Sequence, residues 1–249
     1  MTADLSDIID ADAIRQIGSC IMICGDMQTV LPALAPQADL ILTDPPYRLT
    51  SGGNTTGEMR GIFAPGRYDN SGDLFPMVEW AVMAPLFWAA LGPSGDAIVM
   101  TSDRESLAAR AALEGAGFGF HRMLVWDKVT ATPNRWFMPN CEFGLYLYKG
   151  RARTITDPAS KALIRVPHRD ETDHQTEKPV LLMQGWMHQC SAPDSLVVDP
   201  FMGSGSTAVA AAQLGRRFIG IELQRQWFDV ACARVEDALR QRGRQGVML

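Results

Sequence analysis

At 249 residues, 47% of them hydrophobic and 20% charged, the chain is long enough for one sizeable core and too apolar for the disordered class. A net charge of −5 denies it the basic balance by which nucleic-acid-binding proteins usually show themselves, and leaves room only for a local basic face. No apolar run approaches the roughly 20 residues that span a bilayer. The acidic start MTADLSDIID has neither a basic nor an apolar signal feature, and the five cysteines and four histidines neither pair nor cluster. A cytoplasmic protein with free thiols, no membrane segment and no metal is expected.

Taken in order, CIMIC (20–24) and ADLILT (38–43) read as strands. LFPMVEWAVMAPLFWAAL (74–91) has helical spacing perturbed by Pro85, DAIVMT (96–101) is a strand, and RESLAARAALEGAG (104–117) is a helix ended by glycine. FHRMLVWDK and CEFGLYLYKG add two strands. PVLLMQGWMHQC (179–190) is a helix opened by Pro179. Strand SLVVD (195–199), helix STAVAAAQLG (206–215), strand RFIGIE (217–222) and a final helix over about 224–241 follow. Continuous apolar strands alternating with helices predict an α/β fold, a mostly parallel seven-stranded sheet covered on both faces. In such sheets ligands sit at the carboxyl ends of the strands.

Two segments fall at those ends. VVDPFMGSGSTAVAAA places a strand, a tight turn and a helix in sequence. Gly203 and Gly205 allow close backbone approach, and the free amides at the following helix start suit an anionic group. Glu222 ends the next strand, where a carboxylate can grip ribose hydroxyls. This loop alone leaves a nicotinamide cofactor open, since Ala208 fits the third position of that fingerprint; a P-loop is excluded because no Gly-Lys-Ser/Thr is present. The second segment is TDPPY (43–47). An exocyclic amine on a nucleobase is a poor nucleophile because its lone pair is delocalised. The Asp44 carboxylate and the Pro45 carbonyl can accept its two N–H groups, Pro45 and Pro46 restrict φ, and Tyr47 offers a stacking face for an extruded base.

Together these motifs resemble the DNA amino-methyltransferases that use S-adenosylmethionine. DPPY (44–47) is similar to their catalytic motif, DPFMGSG (199–205) to their cofactor loop, and HQTEKPVLL (174–182) to the segment that leads into it. GDM (25–27), TSD (101–103), VWDK (125–128) and EFGLYLYKG (142–150) stand in the expected order, so the resemblance covers roughly residues 20–235. The catalytic motif precedes the cofactor loop, the permuted arrangement of the β class, with a Rossmann-like methyltransferase fold. The resemblance implies that Asp44, Pro45, Pro46 and Tyr47 are catalytic. It implies that Asp44, Asp199, Phe201, Gly203, Gly205, Ser206, Thr207 and Glu222 meet the cofactor. Asp26 is implied near its adenine, and Thr176 and Lys178 at its methionine carboxylate. Aspartate at the first position implies N6-adenine methylation in duplex DNA; N4-cytosine or an RNA amine, and a non-catalytic DNA-binding subunit of the same fold, stay open. C5-cytosine chemistry is disfavoured, since no cysteine follows a proline.

One methyltransferase domain over 1–249 is expected: a catalytic half at about 18–150, a short target-recognition segment at about 150–173 and a cofactor half at about 174–241. A basic rim for DNA is expected from Arg48, Arg60 and Arg67, from Arg135, and from Arg151, Arg153, Lys161, Arg165 and Arg169. The short recognition segment is compatible with a homodimer, for which the apolar stripe on 74–91 is a candidate contact. Restriction–modification and a bacterial, prophage or phage origin fit this class.

Overall fold

The strands β1 (Ile14–Ile17), β2 (Cys20–Cys24), β3 (Ala38–Thr43), β4 (Leu91–Thr101), β5 (Gly119–Asp127), β6 (Cys141–Tyr148), β7 (Leu163–Arg165), β8 (Leu196–Asp199) and β9 (Arg217–Glu222) form one sheet in the order β1-β2-β9-β8-β3-β4-β6-β5-β7. This is a computed structural model, and it describes residues 10–46, 77–129, 137, 140–168, 172 and 177–246. All seven expected strands are present. The two additional ones, β1 and β7, are short edge strands whose mixed polar composition gives a weak pattern.

β2, β9, β8, β3 and β4 run parallel, while β6 is antiparallel to both β4 and β5. The carboxyl ends of the five parallel strands and of β5 therefore share one edge with the start of β6. In sheet order that edge carries Asp26, Glu222, Asp199, Asp44, Glu142 and Asp127.

Alternation along the strands builds two cores. Leu40 and Leu42 of β3, with Ile98 and Met100 of β4, face α4 (Val180–Cys190), α5 (Ser206–Leu214) and α6 (Arg225–Gly246). Ile41, Ala97 and Val99 face α1 (Met27–Leu34), α2 (Trp80–Ala90) and α3 (Ser106–Gly115). Strands buried on both faces need no polar alternation, which is why they read as unbroken apolar runs. The stripe on α2 packs inward: Trp80, Met83, Ala84 and Phe87 lie in the second core, while Met77 before the helix and Val82 on it are exposed. Pro85 is accommodated within that helix. Helix α1 was not legible from spacing, because Pro32 interrupts a segment of eight residues.

Candidate functional site

β3 and β8 are parallel neighbours, so the DPPY segment and the glycine loop leave the sheet side by side. A buried hydrogen bond ties the two tips together, with Thr43 Oγ1 donating to Asp199 Oδ1 at 2.6 Å. The Phe201 amide donates to the same oxygen at 3.1 Å. Burial pushes the Asp199 carboxyl up to about 6, against the Thr43 and Thr207 hydroxyls and the Phe201 amide, which pull it down.

The glycine loop is held by backbone. Gly203 (φ 51°) and Gly205 (φ 88°) occupy the left-handed region. A Cβ on Gly205 would fall 2.7 Å from Ala231 Cβ, so α6 packs directly against the turn. The Gly203 amide donates to Glu222 Oε2 at 3.0 Å, and the Gln224 amide to Oε1 at 2.7 Å. Each Glu222 oxygen thus keeps lone-pair capacity for a hydroxyl. Burial raises the Glu222 pKa, opposed by the amides of Gln224, Gly203 and Leu223. Gly205 caps α5 without a side-chain bond, and Ser206 Oγ is buried with no hydrogen-bond partner among the described residues. An uncapped helix start, an unpartnered hydroxyl and a carboxylate with spare acceptors fit a group carrying a carboxylate and ribose hydroxyls, as S-adenosylmethionine does. Arg234 of α6 braces the loop from behind: Nη1 donates to the Ser204 carbonyl at 2.8 Å, and Nη2 pairs with buried Glu177 at 2.6 Å. Glu177 in turn accepts the Thr172 amide (2.8 Å) and hydroxyl (2.7 Å).

The acid of DPPY is held by charge. Lys178 Nζ pairs with Asp44 Oδ2 and lies 3.4 Å from Glu142 Oε2, while Glu142 also pairs with Lys128. Lys178 is only 7% exposed and Asp44 19%. Asp44 Oδ1 is buried and has no hydrogen-bond partner among the described residues. Burial raises the Asp44 carboxyl above its ordinary value; Lys178 opposes this and Glu142 reinforces it. Burial works against the Lys178 ammonium, yet Asp44 and Glu142 outweigh it and its pKa is raised.

The structure brings Asp44, Pro45, Pro46, Asp199, Phe201, Gly203, Gly205, Ser206, Thr207 and Glu222 to one edge. Asp26 stands beside Glu222, on the neighbouring strand tip, and accepts the Gln28 amide at 2.9 Å as the cap of α1. Lys178, expected at the cofactor's methionine carboxylate, reaches Asp44 and Glu142, since a buried ammonium needs carboxylates to hold its charge. Arg153, expected on the DNA rim, donates to the Asp39 carbonyl at 2.7 Å and pairs with Asp96 at 3.2 Å, at the edge of the sheet opposite the DPPY segment. Arg151 follows β6 on that same far edge. Arg165 ends β7 on the catalytic edge, 74% exposed, with Nε 3.0 Å from Asp127 Oδ2. Lys161 is exposed just before β7. Tyr47, Arg48, Arg60, Arg67, Arg135, Arg169 and Thr176 lie outside the described residues.

Glu142, Lys128 and Glu177 complete the site without a sequence role of their own. Their signal is faint: Glu142 is a lone acid in an apolar strand, and Glu177 stands directly before Lys178. Among the described residues, no group of three or more His, Cys, Asp or Glu could hold a metal, and no helix is long and apolar enough to cross a membrane.

A family model described as DNA methylase, for the N6/N4 methyltransferases, matches residues 38–232. Type II methyltransferase M2.DpnII of Streptococcus pneumoniae is 27% identical over 243 residues, covering 87% of this chain and 89% of the relative. The crystal structure of the M1.HpyAVI–SAM complex is similar at a TM-score of 0.66 and 24% identity, covering 84% of this chain and 96% of that one. The cytosine-N4-specific PvuII DNA methyltransferase gives 0.68 at 15% identity, covering 89% and 92%; both likenesses are of fold. A family match over well more than half the chain, on a fold that sets the DPPY tip beside the glycine loop, shows that this protein belongs to the N6/N4 DNA methylases, in their β-class motif order.

Proposed function

We propose that this DNA methyltransferase moves the methyl group of S-adenosylmethionine to the N6 amine of adenine in duplex DNA. The observation that carries the proposal is the Asp44 carboxylate. One oxygen is fixed by Lys178, and the other is buried, without a hydrogen-bond partner among the described residues, and one hydrogen-bonded strand tip from the glycine loop.

A buried acceptor left without a donor costs about 1–3 kcal/mol, a cost removed when an N–H is supplied. An amine whose hydrogens are held by Asp44 Oδ1 and by the Pro45 carbonyl loses conjugation with its ring, and its lone pair becomes free to attack. The interaction strengthens as positive charge develops on nitrogen, so it favours the transition state over the ground state. S-adenosylmethionine supplies an electrophilic methyl on a sulfonium when bound. Glu222, the α5 amides and Ser206 would hold it. Asp44 holds the amine in line, and the amine proton passes to solvent after transfer. The target base must leave the duplex to reach this edge, at a cost of a few kcal/mol. Tyr47 stacks on the extruded base, contributing on the order of 1–3 kcal/mol.

Aspartate at the first position of the tetrad supports adenine over cytosine. Expression in a host lacking DNA methylation, followed by mass spectrometry of nucleosides and modification-sensitive sequencing, tests both base and motif. N6-methyladenine in the wild type and none with Asp44→Ala is the expected result. N4-methylcytosine as the sole product overturns the adenine assignment.

A further inference from the structure

The catalytic edge holds more charge than an acceptor for an amine requires. Asp44, Lys178, Glu142 and Lys128 form a line alternating in sign, contributed by the segment after β3, the residue before the cap of α4, the start of β6 and the residue after β5. Lys178 is too deep for water to hold its charge, so carboxylates must, and two of them share it. The sharing is unequal. Asp44 Oδ2 is in direct contact, whereas Glu142 Oε2 lies at 3.4 Å and has no hydrogen bond of its own among the described residues. With Oδ2 in contact with Lys178, Oδ1 is the Asp44 oxygen that has no hydrogen-bond partner among the described residues and is open to an incoming N–H.

We propose that Lys178 and Glu142 are positioning residues for methyl transfer: Lys178 keeps the Asp44 carboxylate ionised with Oδ1 presented, and Glu142 sets how much of the Lys178 charge reaches Asp44. The proposal rests on the reading of Asp44 as acceptor for the target amine. Among the described residues, the groups that face Asp44 are Lys178, Glu142, Lys128 and, from β8, Asp199. Their effects differ in sign. Burial and Glu142 disfavour the Asp44 charge, while Lys178 and Lys128 favour it. Removal of Lys178 and removal of the Glu142 charge must therefore move Asp44 in opposite directions, which loss of mere structural support would not do.

The test is kcat against pH, from 5.5 to 9, for transfer of radiolabelled methyl into duplex DNA, with cofactor affinity measured by calorimetry. Lys178→Met is expected to move the acid limb to higher pH and to lower the ratio of kcat at pH 6 to that at pH 8 by roughly tenfold, the scale on which a charge in contact acts. Lys178→Arg restores the limb. Glu142→Gln moves it to lower pH with cofactor affinity retained. If Lys178→Met does not fold, Glu142→Gln decides alone: a uniform fall in kcat with an unmoved limb overturns the proposal, as does a shift toward higher pH. Transfer that survives Asp44→Ala would overturn the reading of Asp44 itself. An inactive Asp44→Ala together with an unmoved Glu142→Gln limb overturns only the positioning role.

Discussion

The two halves of the catalytic edge are built from different materials. Around Glu222 and the glycine loop, acids are met by backbone amides: Gly203 and Gln224 on Glu222, and Phe201 on Asp199. Around Asp44 and Glu142, acids are met by long cationic side chains: Lys178 and Lys128. Amides are fixed by the backbone that carries them, so the acceptors of the cofactor half are set largely by the turn. Lysines and arginines are set only when distant segments dock, so the catalytic half is a product of the whole fold. A site that must hold a constant cofactor suits the first construction. One that must admit and release a base suits the second, in which Asp44 Oδ1 has no hydrogen-bond partner among the described residues.

Substitutions on either side sharpen this contrast. The largest effect is expected from Asp44→Asn, which keeps shape and removes charge. Methyl transfer should fall by roughly 10³-fold, on the scale of losing a charge-stabilising group in a closed site, while calorimetry still finds cofactor binding. Wild-type turnover in this variant would show that charge is not what the catalytic half supplies. Next is Gly205→Val, aimed at the backbone-built half. A left-handed φ of 88° and a Cβ at 2.7 Å from Ala231 should together cost about 1–2 kcal/mol for the conformation and about 1–3 kcal/mol for overpacking. Thermal melting and cofactor affinity should both suffer, and a full retention of affinity would detach the turn from the cofactor.

Asp199 lies at the seam. Its pKa of about 6 stands above the ordinary 3.8, so the folded state favours the protonated form. The resulting stability is complete below about pH 4 and lost as pH rises through about 6, a difference of about 3 kcal/mol at full extent. Asp199→Asn should remove that part of the pH dependence, so its denaturation midpoint should change less between pH 5 and pH 8 than that of the wild type. An identical profile in the variant would show that the Thr43 and Thr207 hydrogen bonds already compensate for burial. The smallest effect is expected from Arg165→Gln. With a side chain 74% exposed, its pair with Asp127 is screened by solvent and contributes little to stability, whereas a phosphate contact would reduce the salt slope of DNA binding by about one unit. An unchanged slope would place the DNA face away from β7.

Much of this arrangement is legible in the chain. The strands were readable because burial on both faces demands apolar runs, and the glycine loop because strand, turn and helix adjoin in sequence. β1, β7 and α1 were not, because short edge strands and a proline-interrupted helix carry little pattern. The partner of Arg153 was not legible for a related reason: a cation in a loop announces charge but not which edge of the sheet that loop visits, and Arg153 turns to Asp96 on the far one.

What the sequence determined by itself is the local chemistry: an acid followed by two stiff residues at one strand end, and a glycine turn at another. Spacing of a few residues suffices to encode each. Only the tertiary structure decided that these ends are neighbours joined through Thr43 and Asp199, and that Lys178, 134 positions from Asp44, is the partner of its carboxylate. The physical reason is that burial makes an isolated charge costly, so a buried acid and a buried lysine come together wherever the packed sheet and helices leave them within reach.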